Sequence, residues 1–275
     1  LWHYSYLIIC TSIFIFLIAP LFVIIPLSFN AEQYIHFSKG MIALDPDAFS
    51  LRWYEDMVYG TKNPWGIAVR NSFYYAFFST IGATTLGTIA ALGLSSRYMP
   101  YKQLIMIVLI SPMIIPLIIS GSAIFFSLAK VGLAATFPGI IIAHIILGTP
   151  FVVITVTATL SGFDDSITRA ASSLGSPPTN TFFKITLPLI LPGIISGALF
   201  AFVTSFDEIV VILFVAGGER SLTTIPLQMW TGLREQLSPT IMAVATCLIV
   251  MSTFLLIVTE LLRRRTERIR GITPR

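Results

Sequence analysis

"RAASSLGSPPTNTFFKITLP", residues 169–188, is a polar island in an apolar chain. It carries two charges, Arg169 and Lys184, a run of small residues, Gly175 and three prolines, and apolar runs flank it on both sides. The preceding residues make it legible. "DDSITRAASSLG" (164–175) has the pattern of a short amphipathic helix, with Asp164 and Asp165 where the helix dipole favours acids. Gly175 falls where a left-handed C-terminal cap is expected. Pro177 and Pro178 then suit a new first turn. Phe182, Phe183, Ile185 and Leu187 are apolar, and Pro188 and Pro192 mark the entry into the next apolar run. The pattern predicts a helix–turn–helix at a membrane surface. Its apolar ridge either packs on its own bundle or docks into another protein.

The island needs a membrane to lie against, and the composition supplies one. Of 275 residues 55% are hydrophobic and 11% charged, against about a quarter charged in a soluble domain. A hydrocarbon core of about 30 Å takes roughly 20 apolar residues as helix. Six runs meet that length: 6–29, 67–94, 103–128, 135–160, 190–216 and 239–262. The first is too long for a secretory h-region and has no A-x-A site before the next polar stretch, so it is read as a retained span. The expectation is a single all-α membrane domain of six transmembrane helices over 1–275. Cys10 and Cys247 lie inside apolar runs and are read as packing residues, with no disulfide and no metal.

Loop charge sets the orientation. External loop 30–65 holds Lys39, Arg52 and Lys62 against Glu32, Asp45, Asp47, Glu55 and Asp56, and loop 217–238 holds two acids and two bases. The turn 95–102 has Arg97 and Lys102 without an acid, and the tail 263–275 is basic, beginning "RRRTERIR". The turn, the tail and the segment 161–189 are therefore expected inside, with both termini cytoplasmic. The net charge of +4 sits mostly in that tail, which reads as a cytoplasmic stop and not as a nucleic-acid patch. Trp53, Tyr54 and Trp65 in the long external loop are read as interface anchors, with contact to a partner as the alternative.

The island resembles the "EAA" loop of binding-protein-dependent ABC importer permeases: E-A-A, three residues, Gly, nine residues, I-x-L-P. Ala170, Ala171, Gly175, Ile185, Leu187 and Pro188 stand at that spacing, and Arg169 stands where the family has Glu. The resemblance implies a type I importer fold and a coupling helix that inserts into a cytoplasmic ATPase subunit. It assigns coupling to Arg169, Ala170, Ala171, Leu174, Gly175, Phe182, Ile185, Leu187 and Pro188. The Arg169 departure affects any salt contact of that Glu and leaves the apolar docking intact.

Further stretches are similar to the spermidine/putrescine branch, with opine and other organic-solute permeases sharing much of them. They are "NSFYYAFFSTIGATTLGTIAALGLSS" (71–96), "SPMIIPLIISG" (111–121), "HIILGTPFVVITVTATLSGFD" (144–164), "SFDEIVVILFVAG" (205–217) and "TIPLQMWTGLREQLSPTIMAVAT" (224–246). That branch implies two ATPase subunits, a second homologous permease and a periplasmic solute-binding protein docking on 30–65 and 217–238. This chain would bind no cofactor itself, with ATP and Mg held on the partner subunits. Its setting would be the lipid of a bacterial inner membrane.

Two residues are informative without any resemblance. Asp207 and Glu208 lie inside an apolar run, where a carboxylate costs roughly 2.5 kcal/mol or more. On a continuous helix they point about 100° apart, so both cannot face lipid cheaply. One reading is a pathway for a cationic solute; the other is an internal ion pair or a wet position near the outer headgroups. The polyamine resemblance implies the former, with Ser205 preceding the pair. Carboxylates and aromatics together hold amines through charge-assisted hydrogen bonds and cation–π contact, which makes Trp53 and Trp230 candidates. Met113 stands where the spermidine branch has Asp, so the solute could be a less charged amine or another organic solute. His144, alone on an apolar run, is read as a packing or hydrogen-bonding residue. Pro112, Pro116 and Pro150 are expected to kink or interrupt their spans.

No G-x-x-x-x-G-K-[ST], H-E-x-x-H or C-x-x-C occurs, so the chain lacks its own P-loop and any recognisable zinc motif. No nucleophile–base arrangement stands out. The leading expectation is a non-catalytic permease subunit of an ATP-driven importer. The rival is an ion-coupled secondary transporter using Asp207 and Glu208 as its ion site.

Overall fold

Backbone N–H and C=O groups in hydrocarbon must be paired within their own segment, and each of the six apolar runs falls mostly on helix. The computed structural model describes residues 2–59, 65–96, 98–235 and 238–269. Lys62, Arg97, residues 236–237 and the end of the basic tail, 270–275, lie outside the described residues, as do the side chains of 165, 235, 255, 256 and 258–269. Thirteen α-helices account for most of the described chain. They are α1 Trp2–Leu27, α2 Lys39–Ile42, α3 Arg52–Tyr59, α4 Trp65–Ser95, α5 Lys102–Ile114, α6 Leu117–Lys130, α7 Phe137–Ser161, α8 Asp165–Ser173, α9 Pro178–Thr181, α10 Leu187–Asp207, α11 Val210–Val215, α12 Ile225–Glu235 and α13 Thr240–Ile269. They gather into two units, Leu1–Gly66 with Met229–Arg275, and Ile67–Gln228.

In the first unit α13 packs with α3 and α1, and almost all of α1 is exposed. The segment after α1 is folded, not loose. Trp53 is buried and its indole N–H donates to the Asn30 carbonyl at 2.7 Å. Asn30 Nδ2 donates to the carbonyls of Tyr34 and His36, and Tyr54 Oη lies 2.7 Å from Ser28 Oγ. The reading of Trp53 and Tyr54 as interface anchors therefore gives way to one in which both are used to close this segment on itself, and Trp65 is buried as well. Thr240, at the start of α13, donates to Asp56 of α3 at 3.0 Å.

The second unit is built on α7, whose inner face meets α4, α5, α10 and α11. Lipid tails are as apolar as leucine, so helices in a bilayer associate through close packing of small residues. On α10, Gly193, Gly197, Ala201 and Ser205 recur every fourth position, forming one stripe, and all are buried. A Cβ at Gly197 would come within 2.8 Å of the Cα of Val152 on α7, and one at Gly148 of α7 within 3.1 Å of the Ala201 Cβ. Gly87 of α4 is as close to Val152. An apolar core of Tyr75, Leu128, Ile140, Leu147, Val211 and Val215 closes the other end. Asn71 Nδ2 donates to the carbonyls of Ser221 and Thr223, at 2.7 and 3.0 Å, and ties the following loop to α4.

Two runs depart from straight spans, in three places. The run 103–128 is a pair of helices bent by 105°. Pro116 lacks an N–H and disfavours α geometry in the residue before it; Ile115 is accordingly extended, with φ −72° and ψ 133°. The run 190–216 begins earlier than expected, as one 30-residue helical stretch from Pro178 to Asp207. Pro188 does not mark its entry. A π turn over Phe182–Thr186, where the Leu187 N–H reaches the Phe182 carbonyl, widens the helix just before the proline ring and admits it. Pro150 likewise sits inside a continuous α7. The third departure is the break after Asp207.

Candidate functional site

The 164–188 island forms the predicted helix–turn–helix. Asp164 is the N-cap of α8: its carboxylate accepts the Ser166 N–H at 2.8 Å and the Ser166 hydroxyl at 2.6 Å. Those bonds hold the Asp164 carboxyl below the usual carboxylate range. At the other end Gly175 takes φ +80°. The Ser176 N–H reaches the Ala171 carbonyl and the Gly175 N–H the Ser172 carbonyl, each at 3.0 Å, which is the paired bonding of a Schellman cap. Ser176 Oγ then accepts from Asn180 and Thr181, linking α8 to α9. Of the residues singled out from sequence, Arg169, Ala170, Leu174, Gly175 and Pro188 are exposed, Phe182, Ile185 and Leu187 half-buried, and Ala171 buried. Leu174 is 88% exposed and Phe183, beside Phe182, 64%. Phe183 and Ile167 are exposed apolar residues of the same island and were left out of the residue set that the motif spacing supplied.

The second site is the break between α10 and α11. Glu208 leaves helical geometry, with φ −70° and ψ 124°, and the chain resumes helix at Val210. A break strands the first N–H groups of the new helix. Glu208, 7% exposed, turns its carboxylate back and accepts the Val211 N–H at 2.8 Å. A carboxylate there also meets the positive end of the α11 dipole. Asp207, one residue earlier, is exposed. Phe206 packs edge-on against Phe73 at 5.3 Å and stacks with Phe202 at 5.7 Å, an aromatic cluster around the last turn of α10.

Ser205 is buried and its hydroxyl is engaged on two sides. The Ser79 hydroxyl of α4, shared with the Tyr75 carbonyl, donates to it at 2.8 Å. His144 Nδ1 of α7 lies 2.7 Å away. Ser205, Asp207 and Glu208 thus share one short stretch of one unit. Trp53 and Trp230 belong to the other: Trp53 is buried with Arg52 over its ring, and Trp230 is half-exposed with the Arg234 guanidinium 5.7 Å from its ring. Sequence reasoning missed Ser79 as a partner of Ser205. A lone serine in an apolar span gives no signal, and the link across 126 positions exists only in the fold. Among the described residues no cluster of His, Cys, Asp and Glu could hold a metal ion.

Comparison with known proteins matches these features. The family described as "Binding-protein-dependent transport system inner membrane component" matches residues 83–268, which include the island and the helix break. The spermidine/putrescine transport system permease protein PotC of Haemophilus influenzae is 30% identical, over 93% of this chain and 95% of that one. The putrescine transport system permease protein PotI of Escherichia coli is 31% identical, over 86% and 82%. In fold, the chain resembles the crystal structure of a bacterial ABC transporter that imports the acidic polysaccharide alginate. The TM-score is 0.72 over 96% of this chain and 95% of that one, at 16% identity. Family and fold favour the ATP-driven reading over an ion-coupled carrier acting alone: the chain belongs to the binding-protein-dependent transport system inner membrane components and is a transmembrane permease subunit of an ABC importer.

Proposed function

We propose that this permease imports a polyamine or a related small amine, with Asp207 as the solute-facing carboxylate. The observation that carries the reading is the exposed Asp207 at the break of a membrane helix, next in sequence to Phe206, which packs against Phe73 and Phe202. An exposed carboxylate in an apolar, aromatic-rich stretch suits an alkylammonium ion. The names of the PotC and PotI relatives point to the same solute class. Glu208 acts structurally, as the cap of α11.

The rest of the machine follows from the same reading. The chain works as one permease domain with both termini cytoplasmic. The α8–α9 island docks its exposed ridge, led by Leu174 and Phe183, on a cytoplasmic ATPase subunit. Two such subunits hold the ATP and Mg, a second homologous permease completes the pore, and a periplasmic solute-binding protein docks on 30–65 and 217–238.

The test is solute-stimulated ATP hydrolysis by the reconstituted complex over a panel of polyamines, opines and amino-acid derivatives. Stimulation by putrescine or spermidine that is lost in Asp207→Asn supports the proposal. Stimulation confined to neutral or anionic solutes, undiminished in Asp207→Asn, overturns the amine assignment.

A further inference from the structure

His144 is buried at a cost that packing does not explain. It is 1% exposed, and its Nε2 has no hydrogen-bond partner among the described residues. The Tyr75 hydroxyl, whose ring centre lies 6.2 Å from the imidazole, is in the same condition. Unpaired buried polar atoms are destabilising, and few survive in folded proteins. An apolar side chain would fill this place without that cost. The imidazole adds a directional bond: Nδ1 to Ser205 Oγ at 2.7 Å, continued from Ser205 to Ser79 at 2.8 Å. The chain joins α7, α10 and α4 at one level.

That level is the last turn before the helix break. The α10 surface that meets α7 is Gly193, Gly197, Ala201 and Ser205. The first three bring the backbones close but have no side chain long enough to interlock. Such a stripe resists separation better than rotation. Ser205 is the first residue on it able to make an oriented bond, and in a low-dielectric interior an oriented bond is strong. Asp207 follows two residues later.

We propose that His144 is a positioning residue: through Ser205, with Ser79 behind it, it fixes the rotation of the last turn of α10 and hence the direction of Asp207. Ser205 then serves the transport path by holding the helix end, not by touching solute. The proposal rests on Asp207 being the solute-facing group, so its test reads geometry and transport separately.

The geometric reading uses the assembled transporter with Cys10 and Cys247 replaced by Ser and a single reporter, Asp207→Cys. The rate of thiol labelling is compared with that of a control reporter, Leu199→Cys, on an exposed face of the same helix. His144→Leu and Ser205→Ala are each expected to change labelling at 207 by about fivefold or more and to leave 199 within about twofold, the scale of one lost hydrogen bond. His144→Asn, whose side-chain oxygen can stand in for Nδ1, restores the rate. In the transport reading, without the reporters, His144→Leu raises KM for putrescine about tenfold with maximal rate within about threefold, and His144→Asn recovers it. Ser79→Ala and Ser205→Ala carry the test should His144→Leu fail to assemble. Unchanged labelling at 207 in all of these variants overturns the proposal. Altered labelling with an unchanged KM upholds the positioning role and overturns the amine reading of Asp207.

Discussion

Asp207 ends α10 with its side chain exposed, while Glu208 folds back on the Val211 N–H. Substitutions should separate the two. Asp207→Asn is expected to leave thermal stability within about 0.5 kcal/mol, as for other exposed changes, and to weaken amine uptake. Glu208→Ala removes a cap and should cost about 0.5–2 kcal/mol, seen as a lower unfolding temperature of the detergent-solubilised complex; an unchanged temperature would contradict its capping role. The sequence showed that two acids at membrane depth require an explanation. It could not separate them, because that argument assumed a continuous helix. The break falls at Phe206-Asp207-Glu208-Ile209, which contains neither glycine nor proline. Where the chain does break at a proline, at Ile115–Pro116, the residues announced it.

The α8 island was the most legible element, because its signals are local: an Asp at the N-cap, a Gly at the left-handed position, a Pro at the restart. Gly175 at φ +80° has open space around it, so Gly175→Ala meets no clash and suffers only from backbone geometry, about 1–2 kcal/mol. Faster amide exchange confined to α8 would show it; exchange equal to wild type would mean that the cap is dispensable. Asp164 has its carboxyl depressed in the fold. Its contribution is therefore present throughout the neutral range and is lost only as pH falls through its lowered value. On α10 the long-range packing was not legible. Gly197→Val drives two methyl groups towards the Val152 backbone and should cost about 1–3 kcal/mol, read as a fall in unfolding temperature. The extra length of the 178–207 stretch escaped prediction too, because Pro188 and Pro192 looked like boundaries and only the π turn shows how the helix accommodates Pro188.

At the scale of the whole molecule, composition and run length were enough for an all-α membrane protein, and the spacing of Ala170, Ala171, Gly175, Ile185, Leu187 and Pro188 was enough for the family. Neither could name a solute, because solute choice rests on a few side chains that converge only in the fold. The exposed ridge of the island carries a prediction of its own. Leu174→Asp, at 88% exposure, should leave the permease folded and sharply reduce co-purification of an ATPase subunit, since a charge in an apolar docking groove is costly. Undiminished co-purification would move the coupling contact elsewhere. The most direct test of the amine reading is ATP-dependent putrescine uptake by wild type and Asp207→Asn, measured side by side in proteoliposomes. Loss of a charge-assisted bond should raise KM about 10- to 100-fold. An unchanged KM in Asp207→Asn would contradict the assignment of Asp207 as the group that meets the amine.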